Sequence, residues 1–403
     1  MATEFSPLSQ EFFDDPYDMY RSLRDEAPCY HNDDLGFWAL SRFDDVVAAQ
    51  RDWATFSNAH GLRLDQLNDP ENRARDLNII FMDPPAHDRM RRLVSRAFTP
   101  RAITRMEPVA HRVISQYLDA LGDADTFDAI DDFAAPFPVA IISTLLGVPE
   151  ADRQQIRHWT DAVLYRRPDD PNPTPEGIEA LRLRKEYFHA LIDDKRARSA
   201  PNGEASDMIG TLLEAEVADD DGAMHRLTDH EIVEFATLLA SAGSETVTKM
   251  LGNAIVLFHR YPTEWRKLLD NPAKVTNAIE EVLRYWAPTQ YQGRFSLAPS
   301  EWHDRKIPAG EPVFLLTGSA NRDEREYDDP DTFDIDREIG LAVGFGHGIH
   351  VCIGAALARL ETRITLEEWA ARWPHYEVDD AGCRKVTMAN VAGYATVPVS
   401  VRG

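Results

Sequence analysis

A ten-residue segment around Cys352 constrains the fold of this chain more than any other feature. Residues 345–354 read FGHGIHVCIG, so three glycines surround a single cysteine. Glycine lets backbone amides come close to a sulfur atom, which an inert core cysteine would not need. The next residues, 355–361, read AALARLE and strongly favour a helix. Cys352 is therefore predicted at a helix N-terminus, where exposed N–H groups favour thiolate over thiol.

The rest of the chain predicts a mainly α-helical protein with a small β-rich portion. Most of the middle has helical periodicity, and short strand-like runs lie at 36–40, 312–317 and, in pieces, 386–401. A length of 403 residues fits either one large domain or a few smaller ones. We expect a single domain over residues 1–403. Its β-rich portions are expected near 36–60, 295–320 and 385–403, with a helical body between them.

One predicted helix is unusually long. Thr228 and Glu231 form a capping-box pattern, and apolar residues then continue to Phe258 before a proline ends the pattern. About thirty residues at ~1.5 Å each span ~45 Å, enough to cross a domain. The middle of this helix, 242–246, reads AGSET, and glycine, serine and threonine all disfavour a helix interior. The conflict indicates either a functional site or a kink with a solvated Glu245.

The segment 345–354 resembles the haem-binding signature of the cytochrome P-450 family, Phe-Gly-x-Gly-x-His-x-Cys-x-Gly, with every fixed position present in order. The resemblance implies a cytochrome P-450 fold, with haem b (iron protoporphyrin IX) between the long central helix and the helix after the cysteine loop. Cys352 would be its axial thiolate ligand, and Phe345, Gly346 and Ala242 would contact the haem. A thiolate ligand favours O–O cleavage. The implied activity is that of a monooxygenase, which inserts one atom of O2 into a small organic molecule.

Further segments resemble the same family, from about residue 80 to the cysteine loop. Glu281 and Arg284 match its Glu-x-x-Arg pair, whose spacing puts both side chains on one helix face, and Arg322 matches the arginine that completes the pair. Residues 83–91 read DPPAHDRMR and match a segment that contacts the haem propionates. The resemblance implies that the propionates are bound by His87, Arg91, Arg294 and His350.

Residues 242–246 match the family motif in the central helix. The resemblance implies that Gly243 leaves room for oxygen, that Thr246 hydrogen-bonds the oxygen species or a water, and that Glu245 relays protons from solvent. Val247 departs from the many relatives that have a second threonine, and we expect little effect from this. Substrate contacts are expected within 61–78, 235–242, 289–292 and 391–392.

The chain is strongly acidic, with 43 Lys and Arg against 68 Asp and Glu and a net charge of −25. This balance repels nucleic acid and anionic lipid. One stretch, 89–112, is locally basic and carries Glu107 as its single acidic residue. Its arginines are Arg89, Arg91, Arg92, Arg96, Arg101, Arg105 and Arg112. The stretch predicts a docking site for an acidic protein, or else internal salt bridges around an Arg91 that binds haem.

Electrons must come from a separate protein, because the chain has no flavin or nucleotide motif. The resemblance implies an iron–sulfur ferredoxin reduced by an NAD(P)H-dependent reductase. Three scattered cysteines exclude a disulfide framework, and the N-terminus does not look like a signal peptide. The longest apolar stretch, 134–149, is short and contains three prolines, so no membrane span is expected. We therefore expect a cytoplasmic, monomeric enzyme.

Two other functions stay open at this point. One is a haem-thiolate enzyme driven by hydrogen peroxide or catalysing a rearrangement, although the acid–alcohol pair of Glu245 and Thr246 favours oxygen activation. The other is a helical protein that holds haem or another ligand without turnover. A cysteine hydrolase is a poor alternative, because no Asp or Asn is paired with Cys352 and His350 is needed for haem.

Overall fold

The computed structural model describes residues 5–68, 78–167, 170, 172–198, 207–218, 224–388 and 390–401. Its α-helices are α1 (Gln10–Asp14), α2 (Tyr17–Glu26), α3 (Phe43–Arg51), α4 (Leu64–Leu67), α5 (Ala86–Val94), α6 (Pro100–Ala120), α7 (Pro136–Leu146), α8 (Arg153–Leu164), α9 (Pro175–Arg198), α10 (Met208–Glu214), α11 (Asp229–Ala242), α12 (Glu245–Arg260), α13 (Pro262–Asp270), α14 (Val275–Tyr285), α15 (Thr317–Ala320) and α16 (Ala355–Arg372). Short 3₁₀-helices lie at Ile79–Phe81, Ser95–Phe98, Glu150–Asp152, Pro272–Lys274 and Gly348–His350, and a π-helix at Ala129–Ala134.

The strands are short and form small sheets. They are β1 (Cys29–Asn32), β2 (Phe37–Leu40), β3 (Phe56–Ser57), β4 (Thr126–Asp128), β5 (Glu216–Ala218), β6 (Met224–Arg226), β7 (Gln292–Ser296), β8 (Ser300–Trp302), β9 (Arg305–Ile307), β10 (Pro312–Leu315), β11 (Glu377–Val378), β12 (Arg384–Lys385), β13 (Tyr394–Thr396) and β14 (Pro398–Ser400). The prediction of a mainly α-helical fold with a small β portion is confirmed.

The largest sheet has the strand order β1-β2-β10-β7-β3. Only β2 and β10 pair in parallel, with Trp38 opposite Val313, and the other neighbours are antiparallel. Val313 also lies opposite Arg294 of β7, so a fully apolar strand supports a strand that carries a charged side chain. This sheet fixes one of the residues predicted to bind a propionate.

The helical core is built around α11 and α12, which are buried along most of their length. The apolar segment Ala129–Leu146, formed by the π-helix and α7, packs in the same core. By length and composition this segment passes the test for a membrane span, but 78% of it is buried inside the fold. Such burial is typical of a core helix, because a span would present its apolar surface to lipid.

The predicted thirty-residue helix is two successive helices, so the prediction of one continuous helix is wrong. The capping box is present, since Glu231 N donates to Thr228 Oγ1 at 3.2 Å and Thr228 N donates to Glu231 Oε2 at 2.8 Å. The helix nevertheless stops at Ala242 and restarts at Glu245. Ser244 Oγ and Thr246 Oγ1 both donate to carbonyl oxygens four residues earlier, at 2.8 Å each. Hydroxyls that bond in this way compete with the backbone ladder, which explains the interruption.

A buried charge network ties α14 to the loop before the cysteine segment. Arg284 donates to both oxygens of Glu281 at 2.7 and 2.8 Å, and both side chains are fully buried. The second arginine at Glu281 is Arg337, at 3.5 Å, whereas Arg322 donates to Asp331 Oδ1 and to the Tyr285 carbonyl. The prediction that Arg322 completes the pair is therefore wrong. The Arg322 guanidinium instead lies over the Tyr285 ring, 3.5 Å from its centroid.

Candidate functional site

Glycines shape the loop that holds Cys352. Cys352 N donates to the Phe345 carbonyl at 2.9 Å and closes the loop. Gly346 and Gly348 have φ angles of +71° and +72°, and a Cβ at Gly348 would lie 2.4 Å from the Gln50 carbonyl oxygen. L-residues with a side chain rarely adopt this backbone conformation. Gly354 is the N-cap of α16, so Cys352 lies just before a helix N-terminus, as predicted.

Opposing effects act on the pKa of the Cys352 thiol. Although this side chain is accessible on one side, the surrounding protein desolvates the sulfur and raises the pKa of the thiol. The N–H groups of Gly354 and Ala355, with the cations of Arg91 and Arg359, lower the pKa but do not reverse the shift. A coordinated metal cation deprotonates a thiol outright. A bound metal cation would therefore hold Cys352 as the thiolate.

Four basic side chains meet beside the cysteine loop. His87 and Arg91 lie one turn apart on α5, and Arg91 Nη1 donates to the Val351 carbonyl at 2.9 Å. The rings of His87 and His350 are 4.5 Å apart, centroid to centroid. Arg294, from β7, is 2% exposed and its charge reaches His350. The structure thus brings together all the residues predicted to bind propionates.

This cluster of His87, Arg91, Arg294 and His350, the donor cluster below, contains unsatisfied donors. Arg294 donates to the Gly293 carbonyl at 2.8 Å and to Gln292 Oε1 at 3.0 Å, and no ion pair is present for it among the described residues. Nε2 of His87 and Nε2 of His350 are also buried, and neither has a hydrogen-bond partner among the residues that the structure describes. Burial, with the charges of Arg294, His87 and Arg91, lowers the pKa of His350 to about 2. Such a site fits an anionic group, because buried positive charge is otherwise costly.

A second group of predicted site residues lies where α11 ends and α12 begins. Leu238, Ala242 and Thr246 are spaced by four residues and form a partly accessible stripe on helices that are otherwise mostly buried. A Cβ at Gly243 would lie 2.7 Å from Ile142 Cδ1 and 2.8 Å from the Leu239 carbonyl oxygen. Gly243 therefore lets α7 pack closely against this turn, and its role in leaving room for oxygen stays a prediction. Ala242 is the small residue on the accessible side.

The acid–alcohol pair lies at the start of α12. Glu245 is 5% exposed, and the Lys249 ammonium is 3.3 Å from its Oε2 atom. Thr246 is half-buried, and its hydroxyl donates to the Ala242 carbonyl. Glu245 is therefore not the solvated residue of a simple kink. An acid and a hydroxyl in adjacent positions at a partly accessible stripe are suited to passing protons inward.

Sequence reasoning missed Arg359 of α16. Its guanidinium lies over the Phe345 ring, 4.5 Å from the centroid, and forms two hydrogen bonds to Glu280 at 2.6 and 2.9 Å. Its positive charge also reaches the Cys352 sulfur. Nothing in the helix-forming AALARLE segment marks this arginine. Of the expected substrate contacts, residues 69–77 lie outside the described residues.

Comparison with known proteins identifies the class. The Cytochrome P450 family model matches residues 45–369. A Mycobacterium tuberculosis protein provisionally named cytochrome P450 123 is 40% identical over 397 residues, covering 98% of this chain and 96% of that protein. Erythromycin C-12 hydroxylase of Saccharopolyspora erythraea is 36% identical over 367 residues, covering 90% and 88%. The solved structure of CYP109Q5 from Chondromyces apiculatus has a TM-score of 0.87 at 31% identity and covers 99% of this chain and 98% of that one.

The chain belongs to the cytochrome P450 family. It is a haem-thiolate monooxygenase, and its cofactor is haem with a cysteine thiolate as axial ligand. Enzymes of this class use O2, an organic substrate and a redox partner.

Proposed function

We propose that Cys352 is the axial ligand of haem b in this enzyme. The observation that carries the proposal is the donor cluster beside the cysteine loop, in which Nε2 of His87 and Nε2 of His350 are buried without a hydrogen-bond partner among the described residues. Two propionates would supply the missing negative charge. The residues proposed to hold the haem are His87, Arg91, Arg294 and His350 at the propionates, and Phe345, Gly346 and Ala242 at the ring.

When bound, thiolate-ligated haem supplies the activation of O2 for insertion of one oxygen atom into an organic molecule, by hydroxylation or a related oxidation. Thr246 and Glu245 are proposed to deliver the protons. The hydroxyl of Thr246 is the proton donor at the accessible stripe. The buried carboxylate of Glu245 receives protons and passes them on to it. This arrangement argues against a peroxide-driven or non-catalytic protein, neither of which needs a buried acid beside a hydroxyl at this position.

Thr246→Ala is expected to keep haem and substrate binding while productive turnover falls about 10²-fold, the lower end of what a positioned proton-transfer group contributes. Electrons should then leave as hydrogen peroxide, because O2 is still reduced but proton delivery is impaired. The measurement is product and peroxide formed per O2 consumed, with any compound that shifts the haem spectrum as substrate. Thr246→Ser, which keeps the hydroxyl, is the matched control and should remain coupled. Normal coupling in the alanine variant removes Thr246 from the mechanism.

We further propose that electrons come from an acidic iron–sulfur ferredoxin with an NAD(P)H-dependent reductase. The basic stretch 89–112 supports this in part. Arg89 pairs with Glu231, and Arg91 bonds to Val351, so these two are internal. The remaining five, Arg92, Arg96, Arg101, Arg105 and Arg112, are exposed, and none forms an ion pair within the described residues. The alternative of internal salt bridges therefore applies only to Arg89.

Two of these arginines are best placed for docking. Arg92 lies on α5, next to the Arg91 that contacts the cysteine loop, and Arg96 lies in the 3₁₀-turn that continues α5. Val351 of the loop is an exposed apolar side chain, 38% accessible, whose carbonyl accepts from Arg91, and it offers an apolar contact to such a partner. Arg101, Arg105 and Arg112 share one face of α6. They therefore lie on a different element from the arginine that contacts the cysteine loop.

Reversing Arg92 and Arg96 to Glu is expected to slow reduction by ferredoxin about ten-fold at low salt, because electrostatic attraction raises association rates. The effect should shrink as the Debye length falls from ~30 Å at ~0.01 M to ~8 Å at ~0.15 M salt. Stopped-flow reduction measures it. The control is Arg266→Glu with Lys306→Glu, the same charge change at exposed residues of α13 and β9. Equal slowing in both double variants shows an effect of net charge alone and rules out this docking site.

The proposed setting is a cytoplasmic monomer. Its substrate is a small organic molecule that remains to be identified by screening compounds for a change in the haem spectrum. One relative is named erythromycin C-12 hydroxylase. Erythromycin is therefore among the first compounds to screen.

A further inference from the structure

Glu245, the acid of the acid–alcohol pair, has a second carboxyl group beside it. Asp161, close to the end of α8, lies within hydrogen-bonding distance of the Glu245 carboxylate. Glu245 is 5% exposed, and its Oε2 atom has no hydrogen-bond donor among the described residues, although Lys249 lies 3.3 Å away. The Asp161 side chain keeps 42% of its surface accessible. The pair therefore has one buried member and one member that meets solvent.

Two carboxylates in contact repel each other when both are ionised, so such a pair tends to hold a proton. Burial, together with the Glu245 carboxylate, raises the pKa of Asp161 to about 7. The cations of Arg157 and Lys249 oppose this rise without cancelling it. Arg157 Nε is 3.8 Å from Asp161 Oδ2, and its Nη2 donates to Asp131 Oδ1 at 3.1 Å. Asp161 therefore holds its proton to a higher pH than an ordinary aspartate does.

The ionisable side chains on the other elements packed against α8 have partners of their own or lie near its opposite end. Helix α7 carries no ionisable side chain. Arg184 of α9 donates to Thr160 Oγ1 at 3.0 Å and to Ser241 Oγ at 2.6 Å. Glu234 of α11 pairs with Lys185 at 2.7 Å. The carboxylates of the 3₁₀-turn Glu150–Asp152 precede the opposite end of α8.

We propose that Asp161 supplies the protons that Glu245 passes on towards Thr246. The inference rests on the proposed role of Glu245 and adds the step that connects Glu245 to solvent. The O–H bond of Asp161 breaks, and its proton forms an O–H bond on the Glu245 carboxylate. The Asp161 carboxylate then takes one proton from a solvent acid. No electrons move, and each proton delivered inward is replaced by one from outside.

The neighbouring cations are poor substitutes for Asp161 in this step. Lys249 faces the same Glu245 oxygen, but it is only 4% exposed and so lacks a direct route for regaining a proton from solvent. Arg157 is a guanidinium, which does not release its proton at physiological pH. Asp161 alone among these groups combines contact with Glu245, access to solvent and a pKa near neutrality.

Asp161→Asn tests the step, because it keeps the shape of the side chain and removes its titration. Coupled turnover is expected to fall about ten-fold, part of the usual contribution of a positioned acid. In the wild type, coupling should decrease as pH rises through about 7, since the proton-donating form of Asp161 is lost. The asparagine variant should lack this dependence, and Asp161→Glu should restore it. Asp152→Asn, in the turn that precedes α8, is the control and should behave as wild type.

A second measurement is independent of turnover. An unfolded Asp has a pKa of ~3.9, so Asp161 binds its proton more tightly in the folded protein. Its contribution to stability is complete below ~3.9 and is lost as pH rises through about 7. The melting temperature of the wild type should therefore fall relative to that of Asp161→Asn across this range. The infrared carbonyl band of a protonated carboxylic acid should disappear over the same range and be absent from the variant.

The two proposals fail in different ways. If Asp161→Asn stays coupled, or the wild type has no carboxylic acid band that titrates near neutral pH, Asp161 is not the donor. Uncoupling by Glu245→Gln in the same experiments would then leave the role of Glu245 intact. If Glu245→Gln also remains coupled, the proposed role of Glu245 fails as well. If Asp161→Asn does not fold, the wild-type infrared titration and the Asp161→Glu variant decide the question.

Discussion

Cys352→Ser is expected to abolish the strongly red-shifted carbon-monoxide band of the reduced enzyme. A serine hydroxyl does not donate electron density to iron as a thiolate does. The glycine-rich loop should still form, because its φ angles and the bond from the residue-352 N–H to the Phe345 carbonyl do not involve the sulfur. Monooxygenase turnover should fall to background, the largest effect expected of any single substitution in this chain.

Cys383→Ser is the control for this experiment. Cys383 is half-buried, lies before β12 and contacts none of the donor cluster in the described structure. It should keep the full spectrum and full turnover. A red-shifted band that survives in Cys352→Ser would mean that another residue ligates the iron, and the proposed site would have to be abandoned.

Glu281→Gln is expected to lower the free energy of unfolding by about 3–5 kcal/mol, because it leaves a fully buried arginine without its counter-charge. Arg284 and Arg337 both face Glu281, so the substitution leaves two cations together. The loss is a large part of the roughly 5–15 kcal/mol that stabilises a typical domain. Thermal or urea denaturation of the holoenzyme measures it.

The neighbouring residue provides a matched control. Glu280 also pairs with an arginine, Arg359, through two hydrogen bonds, but these side chains are 25% and 42% exposed. An exposed pair contributes about 0–1 kcal/mol, so Glu280→Gln should unfold almost as the wild type does. If the two glutamine variants lose similar stability, burial does not decide the energetics of these pairs.

Structure could be predicted from the sequence where the residue types themselves restrict the local backbone conformation. Gly346 and Gly348 adopt positive φ angles, which glycine favours. The residues after Cys352 strongly favour a helix, so the position of α16 was predicted correctly. The residues of the donor cluster came from the resemblance and meet in space. The mainly helical fold follows from periodicity over long stretches.

Contacts made by irregular segments could not be predicted in the same way. Arg337 reaches Glu281 from a loop without periodicity, whereas Arg322 occupies the position that the resemblance suggested and pairs with Asp331 instead. The side chain at Asp161 is one of many acids on a helix, and only the fold shows that it meets Glu245. Similarly, hydrophobic spacing extended through Gly243 and Ser244, although the hydroxyl bonds of Ser244 and Thr246 interrupt the helix there.

The donor cluster also couples cofactor supply to the amount of folded enzyme in a cell. It holds the charges of Arg91 and Arg294 close enough to lower the pKa of His350, and it leaves buried ring nitrogens unpartnered, so the apoprotein starts with a penalty that two carboxylates relieve. A ligand that binds only the folded state stabilises it by ~2.7 kcal/mol at a concentration of ~100 times its Kd. Overproduction in cells short of haem should therefore yield protein that is degraded or aggregated. Feeding a haem precursor should raise the folded yield before any change in the sequence does.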